Sequence, residues 1–198
     1  KEDGIMSIYE AFYIEAIIYS SGRARDAFVR FEKALTEAKD ADTIVAIAHE
    51  ALTHVGGLSR FFWPSYNKDV RKNEIQKARG KKLRMAFGLD DNSPLFDRNL
   101  RNRLEHFDED LDDFLLQDKV GMFYPSSVIG SVSLIDNALN SIFRLVDPEE
   151  DIFVLLGEKY SFGPLRKSVV DVLEKAQRMN KEGGILRRDS LFKESQKL

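Results

Sequence analysis

Over the first two-thirds of the chain, apolar residues recur at intervals of three and four. That is the period of helices that bury one face. Ile8, Phe12, Ala16 and Tyr19 predict a first helix, which Ser20-Ser21-Gly22 is expected to end. Ala24, Ala27, Phe28, Phe31, Ala34, Leu35 and Ala38 predict a second. Asp42 or Thr43 can cap a third, running through Ile44, Ile47, Ala48, Ala51 and Leu52 toward Gly56-Gly57. The aromatic stretch Phe61-Phe62-Trp63-Pro64-Ser65-Tyr66 reads as a loop that plugs the end of a bundle, with a binding surface as the alternative. A fourth helix is predicted over 68–87, with a narrow stripe of Ile75, Ala78, Leu83, Ala86 and Phe87. Ser93 as N-cap and Pro94 at the first helical position open a fifth, reaching about Gln117. Its seam of Phe96, Leu100, Leu104, Phe107, Leu111, Phe114 and Leu115 is the strongest helical pattern in the chain.

After Lys119 the period changes. Gly121, Pro125, Ser126, Ser127 and Gly130 mark irregular structure. Two short β-branched and aromatic runs, 142–146 and 151–156, flank Asp147-Pro148-Glu149-Glu150 and predict a hairpin. Residues 157–164 continue extended or turn back. Leu165, Val169, Val172, Leu173 and Ala176 then predict a last helix that ends near Gly183-Gly184. The expected fold is mainly α, a helical bundle with a small C-terminal β-hairpin at about 142–156. Residues 1–182 are expected as a single domain, and 183–198 as a charged tail.

Composition narrows the class of protein. The 198 residues are 43 % apolar and 32 % charged, enough to build a core and to coat it. With no Cys, the chain has no disulfide, no Cys-ligated zinc or iron–sulfur site and no thiol nucleophile. Its apolar runs are only a few residues long, so no membrane span is expected. No secretory leader pattern opens the sequence, and the expected location is cytoplasmic. The net charge of −3 hides two opposed segments. Residues 71–84 hold seven basic side chains and one acidic, while 105–118 hold seven acidic and none basic. These segments are expected to complement each other, with one face left over for phosphate.

With Cys absent, His is the natural acid–base group near neutral pH. His49 and His54 lie five apart, about 140° round a helix, where a zinc-protease helix needs four. They read as ordinary partly buried or surface residues. His106 has different company: Arg98, Asn102, Glu109, Asp110 and Asp113 share its side of the fifth helix. A metal site would join His106 to Glu109, Asp110 or Asp113. However, the position three before the His, a Glu in di-iron bundles, is Arg103, so no metal and no cofactor is expected.

Arg101-Asn102 followed by His106 resembles the R-x4-6-H signature of the HEPN superfamily, the higher-eukaryote and prokaryote nucleotide-binding domains. Those domains are helical bundles of this size, with the motif on a late helix and Asn common after the Arg. The surrounding residues are also similar to a group of uncharacterised bacterial proteins. The resemblance implies a metal-independent endoribonuclease, of a toxin or phage-defence type, in which Arg101, Asn102 and His106 do the chemistry. It further implies a homodimer through the Arg101–His106 helix, and possible control by a regulatory protein. The basic residues Arg71, Lys72, Lys77, Arg79, Lys81, Lys82 and Arg84 would then hold the RNA backbone. A Tyr two residues after the His, common in members paired with nucleotidyltransferases, is Asp108 here. The alternative is a catalytically inactive HEPN-like binding or scaffold module.

Overall fold

The first helix does not stop at Ser20-Ser21-Gly22. In the computed structural model α1 runs unbroken from Glu10 to Thr36. Gly costs a helix interior only about 1 kcal/mol, and the Ser21 hydroxyl donates to the Ile17 carbonyl at 2.5 Å instead of breaking the ladder. Buried Ile14 and Ile17 before this point, and Ala24, Ala27, Phe28 and Phe31 after it, hold both halves helical. The structure describes residues 4–97, 99–117, 122–136 and 140–187, without the side chains of Leu100, Arg101, Glu105 and Asn140.

Two compact units divide the chain. Unit 1 comprises Lys1–Arg23, His54–Asp97 and Ser168–Leu198, and unit 2 comprises Ala24–Thr53 and Arg98–Lys167. Helices α1, α2 (Ala41–Phe62) and α6 (Gly163–Lys181) each contribute residues to both.

In unit 1, α2 continues through Gly56 and Gly57 and takes Phe61 and Phe62 into its last turn. The aromatic stretch is therefore part helix and part plug. Phe62 meets Phe87 edge-on at 5.3 Å, and Trp63 meets Phe96 at 5.6 Å. Trp63 also donates its indole N–H to Asp91 at 2.9 Å. Tyr66 alone of the aromatics is strongly exposed, at 77 %. Helix α3 (Val70–Phe87) is capped by Asp69, whose carboxylate accepts from the Lys72 amide, and closes on Gly88 in the left-handed region. Ser93 does cap the next element, but that element is a single 3-10 turn, Pro94–Phe96. Past α6, Gly183 and Gly184 take positive φ, and the Leu186 amide donates to Glu10 at 2.8 Å. Residues 188–198 of the expected tail lie outside the described residues.

In unit 2 the predicted fifth helix is two: α4 (Asn99–Glu105) and α5 (Phe107–Leu116). The predicted hairpin corresponds to β2 (Asn140–Asp147) and β3 (Ile152–Leu155), which pair antiparallel. They form the middle of a four-stranded mixed sheet, not an isolated C-terminal hairpin. Strand β1 (Met122–Ile129) pairs parallel with β2, and β4 (Glu158–Ser161) antiparallel with β3. The stretch that reads as irregular forms β1. Its register slips between Tyr124 and Ser127, around Pro125, which erases the period-2 pattern a strand would show. Asp147 shapes the turn by accepting amide bonds from Val132, Glu149 and Glu150 at 2.9, 3.1 and 3.2 Å. Burial alone would push its carboxyl up; the three donors outweigh burial and hold it below the usual range. The core of unit 2 includes Leu145, Val146, Phe153, Val154 and Leu155, all fully buried, and Phe162 set edge-on to Phe31 at 5.5 Å. Arg166 fixes the corner before α6 by pairing with Asp151 and Glu32.

The mainly helical class is as the apolar period implied. Among the described residues no helix is long and apolar enough to cross a membrane.

Candidate functional site

The break between α4 and α5 falls on His106. Its amide still bonds the Asn102 carbonyl at 2.9 Å, and its own carbonyl accepts from the Asp110 amide at 2.9 Å. Its dihedrals, φ −108 and ψ 35, are not helical, so the residue ends one helix and caps the next. Asp108, Glu109 and Asp110 crowd the first turn of α5, where carboxylates complement the free amide ends. The His106 side chain is 60 % exposed, with Nδ1 3.7 Å from the Glu109 carboxylate. Asn102 is exposed one turn earlier. Arg101 lies in α4, but its side chain is outside the described residues, and with it the expected Arg101–His106 pairing.

Phe107, the residue after His106, connects this point to the sheet. Its ring meets Phe143 of β2 at 5.7 Å. The Arg144 guanidinium lies 5.3 Å from the Phe107 centroid and 4.5 Å from that of Phe143. Behind it on α2, His49 sets its ring edge-on to Phe153 at 6.0 Å. Burial, and then the Arg144 charge, hold His49 below the ordinary imidazole range. Neither Arg144 nor a role for His49 was legible from motif spacing. The only sequence signal was a lone Arg inside an apolar strand.

Arg103 reaches the Tyr160 hydroxyl at 3.4 Å and Asp110 at 3.6 Å. These groups edge a cleft of about 390 Å³ whose walls include Asp113, Phe114, Gly157 and Glu158. Among the described residues no group of three or more His, Asp and Glu could hold a metal ion.

The seven basic residues belong to α3, in unit 1, and they divide. Arg71, Lys72, Lys77 and Lys81 are exposed, Lys77 beside Glu74 at 3.5 Å. The other three are engaged inside unit 1. Lys82 pairs with buried Glu10 at 2.8 Å and donates to the Ile5 carbonyl at 3.0 Å. Arg79 donates to the Arg60 carbonyl at 3.1 Å. Arg84 donates to the Phe62 carbonyl and lies over the Trp63 ring at 5.6 Å. Of the α5 acids, Asp110 meets Arg103 and Glu109 meets His106, both within unit 2.

No family model matches the chain, and comparison with curated proteins and with solved structures finds no match either.

Proposed function

We propose that the chain is a HEPN-like, metal-independent endoribonuclease acting as a homodimer. The observation that carries this reading is the exposed His106 imidazole at the α4–α5 break, one turn beyond Asn102 and five residues after Arg101. A proton-transfer group must reach its substrate, and a His turned into the bundle could not.

The chemistry balances with residues of this chain. His106 takes the proton of an RNA 2′-hydroxyl, and the oxygen attacks the adjacent phosphorus. Arg101 holds the charge that builds on the non-bridging oxygens. The bond from phosphorus to the 5′-oxygen then breaks, leaving a 2′,3′-cyclic phosphate. The departing oxygen takes its proton from the protonated His106 of a second copy and becomes a free 5′-hydroxyl. Asn102 orients the imidazole or holds a phosphate oxygen. The exposed α3 residues Arg71, Lys72, Lys77 and Lys81 supply charge for the RNA backbone.

The test is incubation of purified protein with structured RNA in EDTA, beside His106→Ala and Arg101→Ala variants. Cleavage by the wild type, reduced about 10²- to 10⁴-fold in His106→Ala, supports the reading. A strict monomer in solution removes the two-His site. The second reading, a catalytically inactive HEPN-like module, is favoured by the exposed carboxylates Asp108, Glu109, Asp112 and Asp113, which repel phosphate beside His106. A folded dimer inert toward RNA would select it. A toxin or phage-defence setting, with a regulatory partner, is tested by expressing the chain in cells with and without its neighbouring gene.

A further inference from the structure

Arg144 is half-buried in strand β2, with its guanidinium over the rings of both Phe107 and Phe143, which meet each other edge-on. Its Nε is buried and has no hydrogen-bond partner. Among the described residues it has no ion-pair partner. That is an unusual state for a guanidinium, since withdrawing an ion from water is costly and such charges are normally paired. Two aromatic rings attract the cation and offset part of that cost. They leave Nε without an acceptor. The other half-buried arginines of unit 2 are paired: Arg103 has Tyr160 and Asp110, and Arg166 has Asp151 and Glu32.

We propose that Arg144 is a phosphate-binding residue of the His106 site, its guanidinium taking two oxygens of the RNA backbone. The inference rests on the ribonuclease reading for its substrate. Three observations support the assignment: a guanidinium with no ion-pair partner among the described residues, its place over two rings, and the position of one of those rings, Phe107, directly after His106 in the chain. A planar fork matches phosphate oxygens two at a time, which a flexible lysine does not.

The experiment measures binding of a fluorescent 2′-O-methyl RNA strand, which cannot be cleaved, by anisotropy across a salt series. Arg144→Met keeps an apolar stem against the rings and removes the charge. It is expected to weaken binding about tenfold and to flatten the salt slope by about 0.7, the loss of one phosphate contact on a single strand. A readout on the unaltered protein stands beside it. His49 feels the Arg144 charge, so its NMR titration is expected to move up when the strand neutralises that charge. Wild-type affinity in a folded Arg144→Met, or a His49 titration that the bound strand leaves in place, overturns the proposal. No binding by the wild type overturns it together with the ribonuclease reading. Arg144-dependent binding without any RNA cleavage sinks the ribonuclease reading and leaves Arg144 as a phosphate site. His106-dependent cleavage with indifferent Arg144→Met does the reverse.

Discussion

Helix α3 and the α4–α5 segment both look, in sequence, like charged helices with one apolar seam. They use their charge in opposite ways. On α3 the cations nearest the core are structural: Lys82, Arg79 and Arg84 reach back to the Glu10 carboxylate and to the carbonyls of Ile5, Arg60 and Phe62. On α4–α5 the groups with chemical potential, His106 and Asn102 among them, are exposed at and just before a break in the helix. A run of like charge therefore does not report a binding face. What counts is whether each side chain has a partner inside its own unit.

The strongest way to break this comparison is at Lys82. Lys82→Met leaves buried Glu10 without its cation and is expected to cost about 3 kcal/mol, read as a shifted urea midpoint. Lys81→Met, one residue away and exposed, is expected to stay within about 0.5 kcal/mol. Equal effects at the two positions would mean that α3 is not divided as described.

The next effect is steric. A Cβ at Gly80 would lie 2.6 Å from the Phe62 carbonyl oxygen and 2.9 Å from the Pro64 ring, so Gly80→Ala is expected to cost about 1–3 kcal/mol. Gly22, open on all sides, offers the control: there Ala is expected to stabilise α1 by up to about 1 kcal/mol. Thermal denaturation of the two variants checks both signs.

A smaller effect comes from His49. Its folded pKa lies below its unfolded value near 6.5, so the unfolded chain binds more protons as the pH falls through that value. Stability is expected to decline from about pH 6.5 down to the folded pKa, and His49→Gln to flatten that part of the profile. Urea midpoints measured in steps between pH 8 and 5.5 would show it. A profile as steep in the variant as in the wild type would place the titration elsewhere.

The smallest expected change in stability is at His106. His106→Ala removes an exposed ring that meets an exposed Glu109, and is expected to shift stability by less than about 0.5 kcal/mol. A large loss would make His106 a structural cap and would count against its chemical role.

Much of the fold was legible because its signals are local. The apolar seam of α6, the Ser93 cap before Pro94 and the Asp147 turn all stand in the sequence as they stand in the structure. The departures have separate causes. Ser20-Ser21-Gly22 and Gly56-Gly57 carry weak breaking tendencies of about 1 kcal/mol each, and buried neighbours such as Ile17, Phe28, Leu52 and Leu58 outweigh them. The seam from Phe96 to Leu115 was read as one helix, yet Leu115 is 65 % exposed and the segment breaks at His106. No breaker residue marks that point. Strand β1 was missed because its pairing with β2 joins residues far apart in the chain and is bulged around Pro125.

The sequence by itself determined where helices can form, that the chain is mainly α, and that His must carry any acid–base chemistry in a chain without Cys. Those properties depend on residue type and on spacing within a turn or two. Only the tertiary structure decided which cations are used internally, that the helix breaks at His106, and that Arg144 lies over two rings with its Nε buried and unpartnered. Each of these depends on what burial brings beside a side chain from distant parts of the chain, and no local period encodes that.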